Sequence, residues 1–143
     1  MKKNQGFTLI EVLVAATIIA VLTSIGVVSY QAANKRARDA KRKTDLEQVR
    51  AALEMYKADN NWYPNTGTGN WTNTSNLGTP LTNYLSPIPS PPKTAEVYYY
   101  KATTNSSGGH YYGYCLSSKM EGSITNPPSS CTYSGYNYGL KSP

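Results

Sequence analysis

The rhythm of hydrophobic and polar positions changes twice along this chain. Residues 12–34 carry no charged side chain, residues 35–59 combine dense charge with a narrow apolar stripe, and the remainder is rich in Ser, Thr, Asn, Gly, Pro and Tyr. The first stretch predicts a helix apolar on all sides. At about 1.5 Å per residue it is long enough to cross a hydrocarbon core of about 30 Å. A buried helix of a soluble protein is the alternative, although one of this length would normally show a polar face. In the second stretch Leu46, Val49, Leu53 and Tyr56 recur at spacings of three and four, which is one stripe of a helix. Arg50, Glu54 and Lys57 lie off that stripe and are expected to pair at helical separations, as are Lys43 and Glu47. Asn60 and Asn61 tolerate left-handed backbone and Pro64 forbids continuation, so a single helix is expected over residues 7–59.

Past that point aliphatic residues are few, and a core there must draw on tyrosines and on the charged helix. Residues 65–79 read as a loop. Leu77, Leu81, Tyr84 and Leu85 have helical spacing, closed by Pro87 and Pro89. Three tyrosine-rich runs, residues 96–101, 110–116 and 132–138, predict an antiparallel sheet, with Ser106, Ser107, Gly108 and Gly109 separating the first two as a hairpin would. The expected fold class is α+β, a long amino-terminal helix packed on a small antiparallel sheet that covers its apolar stripe.

The net charge of +6 would suit nucleic acid, an anionic membrane or acidic partners. Six of the 14 basic residues stand together, at Lys35, Arg36, Arg38, Lys41, Arg42 and Lys43, directly after the apolar stretch, which points first to a membrane edge. The tyrosines and lysines of the last third could stack on single-stranded nucleic acid, but tyrosine is also a good strand former that packs a thin core, and nucleic acid is not the expected main partner. Cys115 and Cys131 read most simply as one structural disulfide, which requires an oxidising compartment; two free buried thiols are the alternative. His110 is the only histidine and stands beside a Gly-Gly turn, where solvation is the default. No catalytic set, cofactor motif or metal-ligand spacing is visible, so no enzymatic activity is expected.

The amino terminus inverts the order of an ordinary secretory signal. Lys2 and Lys3 are basic, but the small residue Gly6 precedes the apolar run, so that cleavage there would leave the run on the mature chain. Glu11 places a lone carboxylate inside apolar sequence, at a cost of about 3 kcal/mol unless it finds a partner or snorkels to water. The stretch GFTLIEVLVAATIIAVLTSIGVVSY, residues 6–30, closely resembles the class III signal of type IV prepilins and pseudopilins. That resemblance implies a prepilin peptidase cutting after Gly6, methylation of the new amino terminus at Phe7, and pairing of Glu11 with the amino terminus of a neighbouring subunit in a filament. A glycine at position 6 has no side chain to obstruct a peptidase, and a merely flexible position is the lesser alternative. YKADNNWYP, residues 56–64, resembles the end of the long helix in pseudopilins and short pilins, and a Cys115–Cys131 bridge would resemble the carboxy-terminal disulfide loop of many pilins. Two departures stand out: Gly26 is the only helix-breaker candidate late in the apolar run, where many pilins carry proline, and Glu121 is the only acid after Glu96, too few for the calcium loop of major secretion pseudopilins.

The expected organisation is therefore a leader at residues 1–6, a membrane and filament-core half-helix at 7–34, and a globular domain at 35–143. The leading expectation is the subunit of a type IV pilus for adhesion, motility or DNA uptake. It would polymerise with copies of itself, with the assembly platform and minor pilins as partners, inserted first in the cytoplasmic membrane and then displayed outside the cell. A pseudopilin of a type II secretion system is the alternative, and a membrane-anchored binding module that never polymerises is a third.

Overall fold

The computed structural model describes residues 6–65, 70–105, 108–122 and 131–143. Lys2 and Lys3 of the leader, and Ser106 and Ser107 of the expected hairpin turn, lie outside the described residues. A helix, α1, runs Leu9–Asn60, 52 residues, close to the expected bounds. Its start is a capping box: the Thr8 hydroxyl accepts from the Glu11 N–H at 3.3 Å while the Glu11 carboxylate accepts from the Thr8 N–H at 2.8 Å. It stops because Asn61 adopts a left-handed φ of 69° and donates its N–H to the Lys57 carbonyl at 2.7 Å, an αL cap reached just before Pro64.

The chain divides into two compact units, Met1–Lys35 and Arg36–Pro143. Within the described part of the first, every residue except the half-buried Asn34 is exposed, including Leu9, Ile10, Ile18, Ile19, Leu22 and Ile25. An 18-residue window there is apolar enough for α1 to qualify as a membrane span by length and composition. In the second unit the stripe finds its cover. Leu46, Val49, Ala52 and Leu53 are buried with Tyr63, Leu77, Leu81, Tyr98, Tyr100, Ala102, Tyr114 and Leu116 in one core, and Tyr56 packs at its edge.

Four antiparallel strands form the sheet, in the order β1 (Thr72–Asn73), β2 (Tyr99–Asn105), β3 (Tyr111–Ser118) and β4 (Tyr138–Lys141). Tyr100 pairs with Leu116 and Leu116 with Leu140, so period-two alternation turns Tyr98, Tyr100 and Ala102 inward while Tyr99 and Lys101 stay half-buried. Three expectations need correcting. The third strand is Tyr138–Lys141 rather than residues 132–138, because the chain first turns at Tyr133–Tyr136, with Gly135 at φ 80° and the Tyr136 N–H donating to the Tyr133 carbonyl. The loop expected over 65–79 contains β1, which adds to the edge of β2, followed by a 3-10 turn, Thr74–Leu77, capped by the Asn73 side chain. The short helix expected around Leu77–Leu85 is only one turn, α2 (Gly78–Leu81), with Tyr84 and Leu85 beyond it.

Candidate assembly site

Two places in the chain concentrate polar chemistry, one in each unit. In the first, Glu11 stands among exposed apolar side chains, and Phe7, 90% exposed, precedes it. One carboxylate oxygen, Oε2, accepts from both the N–H and the hydroxyl of Thr8, each at 2.8 Å. The other, Oε1, has no partner among the described residues. The carboxylate is thus half satisfied by its own helix start and keeps one open acceptor for a second donor. A cation arriving there would complete a charge that apolar surroundings otherwise penalise. Gly6 is exposed, and a side chain added there would meet nothing within 4 Å, so its backbone is open to approach. The sequence singles out Gly6, Phe7 and Glu11 as candidates; the Thr8 cap beside them was missed there, although T-x-x-E before an apolar run is a capping-box signature.

In the second unit Arg42 is wholly buried, and three carboxylates converge on it. Its guanidinium donates to Glu96 at 2.6 Å, to Asp39 at 2.8 Å and to Glu121 at 3.1 Å. Arg38 grips the same Glu121 in bidentate fashion at 2.6 and 2.7 Å, and Lys93 approaches it at 3.0 Å. Asp39 also accepts the backbone N–H of Glu121 and of Gly122, both at 2.9 Å. Hydrogen bonding from Arg38, then from Lys93 and Arg42, holds the Glu121 carboxyl well below the usual carboxylate range despite desolvation. Burial opposes the Arg42 charge, but its bonds to Glu96 and Glu121 outweigh burial and raise its pKa. The network ties α1 to the segments before β2 and after β3. Among the described residues no group of three His, Cys, Asp or Glu is placed to hold a metal ion.

Cys115 and Cys131 are joined by a disulfide that lays the following segment over the outer face of β3. There the Ser117 hydroxyl accepts from the Tyr133 N–H at 3.0 Å, and the Asn137 side chain accepts from the Met120 N–H at 2.7 Å. Residues 123–130, the middle of this loop, lie outside the described residues. His110 does not stand free in solvent as expected: its ring lies 4.0 Å from that of Trp62. The expected helix-surface pairs are also rearranged. Glu54 accepts the hydroxyls of Tyr63 and Tyr114 at 3.0 Å, Glu47 pairs with Arg50 at 3.5 Å, and Lys43 lies over the Tyr138 ring. Tyr98, Tyr100, Tyr111 and Tyr114 are core residues, closed to stacking with bases.

A long helix that is apolar at one end and packs its other end on an antiparallel sheet, with a capped glutamate near its start, is the architecture of a pilin-type subunit. Residues 1–27 match the family described as the prokaryotic N-terminal methylation motif. Over 124 residues the chain is 36% identical to the type II secretion system core protein G of Vibrio cholerae, covering 87% of this chain and 78% of that protein. It is 39% identical over 67 residues to the protein of the same name from Pectobacterium carotovorum and 40% over 67 residues to that from Escherichia coli, spanning only 43% and 46% of their lengths. No solved structure matches the chain significantly. The chain belongs to the type IV pilin and pseudopilin family, the family of these core G proteins.

Proposed function

We propose that this chain is a pseudopilin of a type II secretion system, a structural and non-catalytic subunit that polymerises with copies of itself into a filament of the cell envelope. The observation that carries the reading is the similarity to the core G protein of Vibrio cholerae, which extends over 87% of the chain and so reaches far beyond the methylation motif. It replaces the surface pilus as the leading expectation. The precursor inserts residues 12–34 in the cytoplasmic membrane, a prepilin peptidase cuts after Gly6, and Phe7 becomes the methylated amino terminus. On docking, the open Oε1 of Glu11 receives the Phe7 ammonium of a neighbouring subunit, so a charge costly in hydrocarbon is neutralised where the filament grows. The surface-pilus reading keeps two observations in its favour, the Cys115–Cys131 bridge and the single acidic residue, Glu121, after Glu96, too few for the calcium loop of major secretion pseudopilins.

The deciding experiment is deletion of the gene in its host, followed by assay of protein export and electron microscopy of sheared cells. Loss of export with the chain confined to the envelope supports the pseudopilin. Long surface filaments composed of this chain, with export intact, would replace it with the pilus subunit. Intact-mass analysis of the mature chain should give an amino terminus at Phe7 carrying one methyl group.

A further inference from the structure

The cations that follow the apolar stretch have two different fates. Arg38 and Arg42 turn into the network with Asp39, Glu96 and Glu121. Arg36 and Lys41 are exposed and have no ion-pair or hydrogen-bond partner among the described residues, and exposed Lys43 has only the face of Tyr138, at 5.7 Å from the ring centroid. The nearby acids are already engaged: Asp39 by Arg42, Asp45 by the Tyr98 hydroxyl at 2.7 Å, and Glu47 by Arg50. The second unit therefore opens with three cations that have no counter-ion among the described residues, although it neutralises two others in the same run.

Their position and spread narrow the partner. Arg36 follows Asn34, the last residue of the uncharged stretch, by two places, so chain length alone keeps it beside the end of that stretch whatever the arrangement of the two units. From Arg36 to Lys43 the helix rises about 10 Å, close to the Debye length of about 8 Å in physiological salt, and a lysine stem can reach back further. At about 100° per residue Arg36 and Lys43 share one flank of α1, while Lys41 lies towards the other. A protein partner seated on one face would not use that spread, but headgroups that surround a helix leaving a bilayer would. Nucleic acid would want aromatic faces between the cations, and five of the described tyrosines, Tyr63, Tyr98, Tyr100, Tyr111 and Tyr114, are locked in the core.

We propose that Arg36, Lys41 and Lys43 bind the headgroups of anionic phospholipids in the leaflet that meets the carboxyl end of the apolar stretch, holding the base of the folded unit at the bilayer surface before assembly. The inference rests on residues 12–34 spanning the membrane, as in the proposed function. Each cation near an anionic leaflet contributes about fivefold to the association, and added salt weakens it.

The test uses the full chain in neutral detergent, titrated with phosphatidylglycerol and separately with phosphatidylcholine, with bound lipids counted by native mass spectrometry. Wild type should bind phosphatidylglycerol at least about tenfold more tightly, and the triple variant Arg36→Gln, Lys41→Gln, Lys43→Gln should lose that preference. Lys119→Gln with Lys141→Gln, exposed cations elsewhere, should retain it. Should the triple variant misfold, Arg36→Gln alone is expected to lose about fivefold. Equal binding of both lipids by wild type, or a preference that survives the triple variant, overturns the proposal. Carbonate extraction of cell membranes judges the premise separately: release of the chain removes the membrane span and this site with it, whereas retention without lipid preference removes only the site. A single-stranded oligonucleotide that binds through the same three cations more tightly than phosphatidylglycerol would reassign the surface to nucleic acid.

Discussion

The two units share one helix and treat it in opposite ways. Before Lys35 the helix is apolar on all sides and its large side chains are exposed, so in water nothing would offset their hydration. After Arg36 only one stripe is apolar, and a sheet built largely from tyrosine covers it. The carboxylates follow the same division. Glu11 is satisfied within its own first turn and keeps an open oxygen, whereas Glu54, Asp45 and Asp59 each accept a tyrosine hydroxyl from the domain. The comparison teaches that the second unit covers its own apolar stripe, whereas the first leaves its apolar side chains exposed. A tyrosine core works in the second because the helix supplies acceptors where the hydroxyls arrive.

The sharpest way to break this comparison is Glu11→Ala. Filament yield should fall more than about tenfold, since a lost charge pair in an apolar setting is worth a few kcal/mol, while the unfolding midpoint of the second unit stays unchanged. Normal filament yield would show that the first unit needs no docking partner at its glutamate. Next in size is Arg42→Met, which leaves Asp39, Glu96 and Glu121 without their shared buried cation. Denaturant unfolding should register a loss of about 3–5 kcal/mol with membrane insertion intact. A loss near zero would mean that Arg38 and Lys93 hold the network unaided. Replacing Cys115 and Cys131 together with serine should cost about 3 kcal/mol, read from the same unfolding curves.

Smaller effects test the packing of the outer segment. A methyl group added at Gly139 would fall on the Cys131 backbone carbonyl, so Gly139→Ala drives side chain into backbone and should cost about 1–3 kcal/mol. The mildest probe is pH. The Glu121 carboxyl is held below its unfolded value of about 4.3, so its contribution is complete above that pH and is lost as the pH falls toward the folded value; through this group the second unit weakens in acid. The Tyr98, Tyr100 and Tyr114 hydroxyls are raised mainly by burial, so their contribution is complete below about pH 10 and is lost as the pH rises beyond it. Phenolate absorbance should therefore rise in two parts, the exposed rings first and the buried rings together with alkaline unfolding. A single smooth titration of all tyrosines near pH 10 would refute the buried assignment.

What the chain's sequence determined by itself is what neighbours along the chain decide. The helix bounds follow from Thr8 and Glu11 at one end and Asn61 and Pro64 at the other, within a turn of where they act. The apolar stretch, the position of Glu11 within it and the stripe through Leu46, Val49 and Leu53 are likewise legible, because helical periodicity is a local property. Only the tertiary structure decided which of six adjacent cations are consumed. Arg38 and Arg42 meet Glu121 across separations of 83 and 79 residues, and Arg42 meets Glu96 across 54. It also decided that Glu54 serves two tyrosines instead of a helix neighbour, that Thr72–Asn73 joins the sheet, and that the last strand waits until Tyr138. Those outcomes depend on which distant segments arrive together once the stripe is covered, and no spacing along the chain encodes that meeting.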